Sequence, residues 1–203
     1  MLEKVKNLKE LDIGVASKNF GYLGFKSVID GMKTQTQLRK LSLRCGVNRV
    51  GINGAIIVKD MLLGMPHLEF LNIGFVENYI GDEGITILTE SISKMSNIKS
   101  LILNLGFNDA KSYGLINTLK VLSNASYDYL FVSLSHNEFR DKDIELIIKL
   151  LPQLIERNKQ FDFDFVDTAI SKKLLKVVKN TFSQSNEKYH KKSELSINSI
   201  IPD

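Results

Sequence analysis

One short string recurs along this chain at a fixed step, and nothing else in the sequence limits the possible folds so tightly. LKELDIG at 8–14 returns as LRKLSLR at 38–44, LEFLNIG at 68–74 and IKSLILN at 98–104, each 30 residues after the last. A fifth copy, YDYLFVS at 127–133, comes 29 residues later, and a degraded sixth, FDFDF, occupies 161–165. Other columns keep the same step. Asn48, Asn78, Asn108 and Asn137 share one position, with Lys18 there in the first copy. Val50, Ile80, Ala110 and Phe139 follow two residues later, with Phe20 as their equivalent. Gly21, Gly51 and Gly81 form a column that Lys111 and Arg140 replace in later copies. Gly24, Gly54, Gly84 and Gly114 form a second, ended by Asp143. So many columns at one period mark a repeat array.

The physics of one unit follows from its pattern. The L-x-x-L-x-L segment alternates with period two, as a half-buried strand does. The asparagine falls where the chain turns, and its side chain can hydrogen-bond nearby backbone. GDEG then opens a helix in the third copy. Asp82 and Glu83 suit its first turn, where N–H groups lack partners and the dipole favours negative charge. Ile85, Leu88 and Ile92 give the helix one apolar face. A lone strand–helix unit cannot bury its apolar faces, whereas stacked units can. The expected fold is an α/β solenoid of five to six units of about 30 residues, strands parallel on the concave face and helices on the convex face.

The columns L-x-x-L-x-L…N-x-[IV]-G-x-x-G-[AI] resemble leucine-rich repeats of the ribonuclease-inhibitor type, a type also found in the Ran GTPase-activating protein and tropomodulin. The resemblance covers roughly residues 8–183. That type usually has two residues between the last strand leucine and the asparagine. Four intervene here, as in IGFVEN, and this longer form is similar to repeats of ciliate and other protist proteins. The resemblance implies an interaction module, and by analogy with the Ran regulator it also raises GTPase activation. Against that analogy, the array is short and carries no dedicated acidic tail.

The chain ends predict their own roles. FDFDFVDTAISKKLLKVVKNTF offers a last strand and a capping helix, with Ile170, Leu174, Leu175 and Val178 inward and Lys172, Lys173, Lys176 and Lys179 outward. The expected domains are therefore a solenoid over 1–183 and a polar tail over 184–203, either disordered or docking through Ile200 and Ile201. At the other end no full cap is visible: either residues 1–7, MLEKVKN, form a minimal cap or a partner covers the N-terminal repeat edge.

Composition narrows the function classes. Of 203 residues, 43% are hydrophobic and 25% charged, which describes a globular body. A net charge of +4 is too small for a dedicated nucleic-acid binder, so nucleic acid is possible but not favoured. The single cysteine, Cys45, forbids an internal disulfide and reads as a small, partly buried filler. With no signal-peptide pattern and no apolar run of about 18 residues, no membrane span is expected. An intracellular setting follows, cytoplasmic or cytoskeletal, with an organelle as the other option.

Candidate chemistry is sparse. Glu77, Asp82, Glu83 and Glu90 crowd one stretch, yet their spacing does not match a calcium loop. The glycines fit neither a phosphate loop nor a dinucleotide fingerprint. His67, His136 and His190 have no ligand at metal-binding spacing. No enzyme activity, metal or cofactor is expected. The strand positions between the buried leucines should instead face outward. Register places Phe70, Ile102, Tyr129 and Phe131 there as apolar partner-binding candidates. Arg39, Lys40 and Arg44 form a basic group in the second copy. The leading expectation is a non-enzymatic scaffold or adaptor, a subunit of a larger assembly that binds other proteins. A GTPase activator, or an RNA-contacting subunit of a ribonucleoprotein, is the alternative.

Overall fold

The computed structural model describes residue 5, residues 7–166 and residues 170–196. The repeat string forms strands β1 (Glu10–Gly14), β2 (Lys40–Arg44), β3 (Phe70–Gly74), β4 (Ser100–Asn104), β5 (Tyr129–Ser133) and β6 (Gln160–Asp164). Helices α1 (Gly21–Met32), α2 (Gly51–Leu63), α3 (Gly81–Ser93), α4 (Ser112–Leu122), α5 (Asp141–Arg157) and α6 (Lys172–Tyr189) follow them one for one. A two-residue strand, β7 (Leu195–Ser196), ends the series. All seven strands pair in parallel and in chain order within one open sheet. The helices also neighbour one another in chain order. The register matches the sequence columns: Lys40 lies opposite Phe70, Phe70 opposite Ser100, and Ser100 opposite Tyr129.

Alternation decides which face is buried. Leu41, Leu43, Leu71, Ile73, Leu101, Leu103, Leu130 and Val132 are wholly buried, and so are Phe25, Ala55, Ile85, Leu115 and Ile144 from the helices. They merge into one continuous core. Each inner strand residue contributes about 1.5–3 kcal/mol by burial, and each depends on the neighbouring unit for its cover.

The asparagine column joins the units. Asn108 is fully buried. Its Nδ2 donates to the carbonyls of Leu105 and Gly106 in its own turn and of Phe75 in the preceding unit, each at 3.0 Å. Its Oδ1 accepts the N–H groups of Asn78 at 3.0 Å and Ile80 at 3.5 Å. Asn48, Asn78 and Asn137 repeat this bridging. The side chain was expected to serve its own turn; it also satisfies the turn before it. The ladder comes with left-handed backbone on both sides of three of its asparagines, at Val47 (φ 60°) and Arg49 (φ 53°), Glu77 (54°) and Tyr79 (56°), Phe107 (55°) and Asp109 (54°), and on the preceding side alone of Asn137, at His136 (54°). That conformation disfavours such side chains by about 1–2 kcal/mol each, and the buried amide bonds offset it.

The two glycine columns have separate causes. Gly81 has φ +61°, and its N–H donates 2.9 Å to the Asn108 carbonyl of the next unit. In the fourth unit Lys111 is extended (φ −112°), and its N–H turns back to Asp82 Oδ1 at 2.7 Å. A side chain is tolerated there because the backbone has left the left-handed region. Gly84 is a close-approach position, since a Cβ would lie 2.6 Å from Ile80 Cβ. At Gly114 the obstacle is Asp82 itself, at 2.7 Å. Asp82 therefore does more than sit in the first turn of α3. It caps α4 through the N–H groups of Lys111 and Gly114.

The C-terminal boundary differs from expectation. Residue 183 falls inside α6, which runs on to Tyr189, and the chain then returns to the sheet as β7. Phe182 packs against Phe161 at 6.3 Å, and Asn186 Nδ2 donates 2.9 Å to the Ser193 carbonyl, which fixes the return. Ile170 and Val178 are buried as expected, whereas Leu174 and Leu175 are only partly covered. Ile200 and Ile201 lie outside the described residues. Cys45 is fully rather than partly buried; burial pushes its thiol far above the ordinary range, and its Sγ donates 3.3 Å to the Gly74 carbonyl.

Candidate functional site

The face of the sheet turned away from the core carries three columns set by register. The first is Glu10, Lys40, Phe70, Ser100, Tyr129 and Gln160; the second is Asp12, Ser42, Asn72, Ile102, Phe131 and Asp162. The third is Gly14, Arg44, Gly74, Asn104, Ser133 and Asp164.

Three of the four apolar candidates come together. Ile102 and Phe131 are direct cross-strand partners, Tyr129 is two residues from Phe131 on β5, and Phe70 lies two strands away in the Tyr129 column. All four are half-buried, so they belong to this face and not to the core. Burial, and then a hydrogen bond with the Asp162 carboxylate, push the Tyr129 phenol up to about 12. Its hydroxyl therefore stays protonated through the physiological range.

The basic candidates are exposed but not free. Lys40 Nζ lies 2.8 Å from Glu10, and Arg44 Nη1 lies 2.8 Å from Asp12 and donates 3.1 Å to Ser42 Oγ. Arg39 pairs with Glu69, which also accepts from Lys99 at 2.8 Å. Hydrogen bonds from Lys99 and then Arg39 hold the Glu69 carboxyl below its ordinary range. The expected basic patch is thus a set of exposed ion pairs, because strands 30 residues apart bring an acid beside each cation. A shallow concavity of about 360 Å³ lies at this end, lined by Glu10, Asp12, Lys40, Ser42 and Phe70.

The opposite end has a feature that the sequence reading missed. A depression of about 320 Å³ is lined by Asn104, Phe107, Ser133, Ser135, His136 and Asp164, among others. The Phe107 and His136 rings stack at 3.8 Å with an interplanar angle of 15°. Ser133 Oγ donates 2.8 Å to Asp164 Oδ2. The signal was available in FDFDF, whose alternation buries the phenylalanines and puts Asp162 and Asp164 in the outer columns, Asp164 half-buried and Asp162 buried.

The N-terminal edge is thinly covered. Leu11 and Ile13 are only partly buried, whereas their equivalents in later strands are wholly so. Leu23 is 76% exposed and Phe20 41%, although Val50 and Ile80 in the Phe20 column are buried. Among the described residues no strand pairs with the outer side of β1, and no helix is long and apolar enough to cross a membrane. Comparison with protein-family models and with curated proteins gave no match to either.

Proposed function

We propose that this chain is a non-enzymatic, protein-binding repeat module of the leucine-rich-repeat class, with the open face of the sheet as its concave docking surface. The observation that carries this reading is the half-exposed apolar group Ile102, Tyr129 and Phe131, with Phe70 on the same face, on a parallel sheet. Aromatic anchors on such a scaffold lose little side-chain entropy on binding, which suits them to a hot spot. The thin cover on β1 and α1 supports a second contact at the N-terminal edge, as in a subunit of a larger assembly. The ion-paired state of Arg39, Lys40 and Arg44 favours a protein partner over RNA, since each cation already has a carboxylate.

Co-purification of the tagged chain at native abundance tests the reading, with an Ile102→Ser/Phe131→Ser variant alongside. Stable protein partners should be recovered by the wild type and depleted at least ten-fold by the double variant, with unchanged circular dichroism. Equal recovery by both would remove the open face from the binding site.

A further inference from the structure

The protein shows how a guanidinium sits on this sheet. The Arg44 guanidinium lies over Gly14, where an added Cβ would meet its Nη2 at 3.6 Å, and Gly74 flanks the base of the same side chain. From there it donates to Asp12 Oδ2 at 2.9 Å and to Ser42 Oγ at 3.1 Å. One carboxylate, one hydroxyl and the bare backbone of Gly14 complete that arrangement.

The depression at the far end of the same face repeats the acceptors without the cation. Ser133 occupies the column of Arg44, and Asp164 lies next to it on β6. Ser133 Oγ, Ser135 Oγ and Asp164 are linked at 2.8–3.3 Å. Among the described residues, Asn104 Oδ1 accepts only from the Gly106 N–H, at 3.3 Å. Among the described residues no lysine or arginine pairs with Asp164 or with its neighbour Asp162, whose contacts are Gln160, Tyr129 and the Glu194 N–H. The stacked Phe107 and His136 rings add a flat π wall to the same space. A planar, delocalised cation with several donors matches this lining better than a compact ammonium, because it stacks on rings and bonds to several acceptors at once.

We propose that this depression takes the guanidinium of an arginine presented by the partner protein, with a neighbouring apolar side chain of the partner resting on Ile102 and Phe131. The inference rests on the docking reading above and adds the partner's chemistry. Asp164 supplies the charge, Asn104 and the serine hydroxyls supply further acceptors, and the Phe107–His136 pair supplies the stacking surface. The two subsites adjoin, since Phe131 and Ser133 are two residues apart on β5.

The test uses the whole chain and a random peptide library displayed on phage. Selected peptides are resynthesised and their affinities measured by calorimetry against wild type, Asp164→Asn, Phe107→Ala and Phe131→Ala. Asparagine keeps the shape of the aspartate and can still accept from Ser133, and Phe107 is an exposed loop residue, so these two changes should not disturb folding. The expected result is arginine enriched beside an apolar residue. Such peptides should bind Asp164→Asn at least ten-fold more weakly and Phe107→Ala about three- to ten-fold more weakly, and exchange of their arginine for lysine should cost a further several-fold. Peptides that need Phe131 but show no arginine preference, accept lysine equally or ignore Asp164→Asn would overturn the arginine site and leave the docking face standing. Peptides indifferent to Phe131→Ala would overturn the docking face itself.

Discussion

The two ends of this array are built from one unit and finished differently. At the N-terminal end Leu11 and Ile13 stay partly exposed, Lys18 stands where later units have asparagine, and no strand among those described covers β1. At the C-terminal end β7 pairs with β6, and the N–H groups of Phe163 and Phe165 reach the carbonyls of Glu194 and Ser196 at 2.9 and 3.0 Å. The open face reverses the contrast. Its N-terminal carboxylates are matched by Lys40 and Arg44, whereas Asp162 and Asp164 at the far end have no cation among the described residues. One end therefore leaves partly covered apolar strand residues, and the other leaves a carboxylate with no cation among the described residues. A repeat makes a neutral, self-satisfied interior easy, and what it leaves unmatched at its ends marks the places to look for binding.

The sharpest way to break this comparison is through the asparagine ladder. Asn108→Ala would leave several buried amide and carbonyl groups in two units without partners, at about 1–3 kcal/mol each. A total near 4 kcal/mol is expected on that basis. Lys18→Ala, in the same column at the open end, should change stability by less than about 0.5 kcal/mol. Urea denaturation followed by circular dichroism compares the two. Similar losses would mean that the ladder does not distinguish interior from edge.

Core truncations give the next largest effect. Leu101→Ala removes a wholly buried strand residue and should cost about 2–5 kcal/mol. Leu11→Ala occupies the same position on β1, where cover is partial, and should cost about half as much. A Leu11 penalty equal to that of Leu101 would mean that another surface already buries the edge in solution. Sedimentation of the wild type would then show self-association.

Much of this architecture was legible in the sequence because the period was. The step of 30 fixed strand register, and register alone put Phe70, Ile102, Tyr129 and Phe131 on one face. What escaped depended on relations between units. Nothing in a single copy says that Asp82 caps the following helix, or that Asn108 serves the turn before its own. The left-handed backbone at Val47, Tyr79 and Phe107 was equally hidden, because those residues argue locally against it and only the ladder justifies it. The basic group read as a patch because its acids, Glu10, Asp12 and Glu69, belong to neighbouring copies. The end of the array was placed too early because the polar run SQSN reads as a tail, yet it forms the last turns of α6.

A smaller contrast separates the third unit from the fourth. Gly81→Ala puts a Cβ on left-handed backbone and should cost about 1–2 kcal/mol. Lys111→Gly, at the equivalent extended position, should gain no stability and cost up to about 1 kcal/mol. Thermal melts of the two variants check the pair. A Lys111→Gly variant that melts above wild type would show that the fourth turn keeps the glycine geometry of the first three.

The smallest effect concerns the ion pairs that neutralise the N-terminal half of the open face. Glu69 is held below the ordinary carboxylate range by hydrogen bonds from Lys99 and Arg39. A depressed carboxyl contributes stability that is present above its unfolded value and lost as pH falls through its folded one. Glu69→Gln should therefore melt slightly below wild type at neutral pH, and the two curves should meet once the pH falls below the ordinary glutamate range. Salt should close the same gap at neutral pH, since the screening length shrinks from about 10 Å at 0.1 M to about 3 Å at 1 M. Asp164→Asn removes a carboxylate with no cation beside it among the described residues, so its melting difference from wild type should respond little to salt. If instead added salt moves Asp164→Asn as much as Glu69→Gln, the far end of the face is already neutralised by a cation of its own, and the contrast between matched and unmatched ends does not hold.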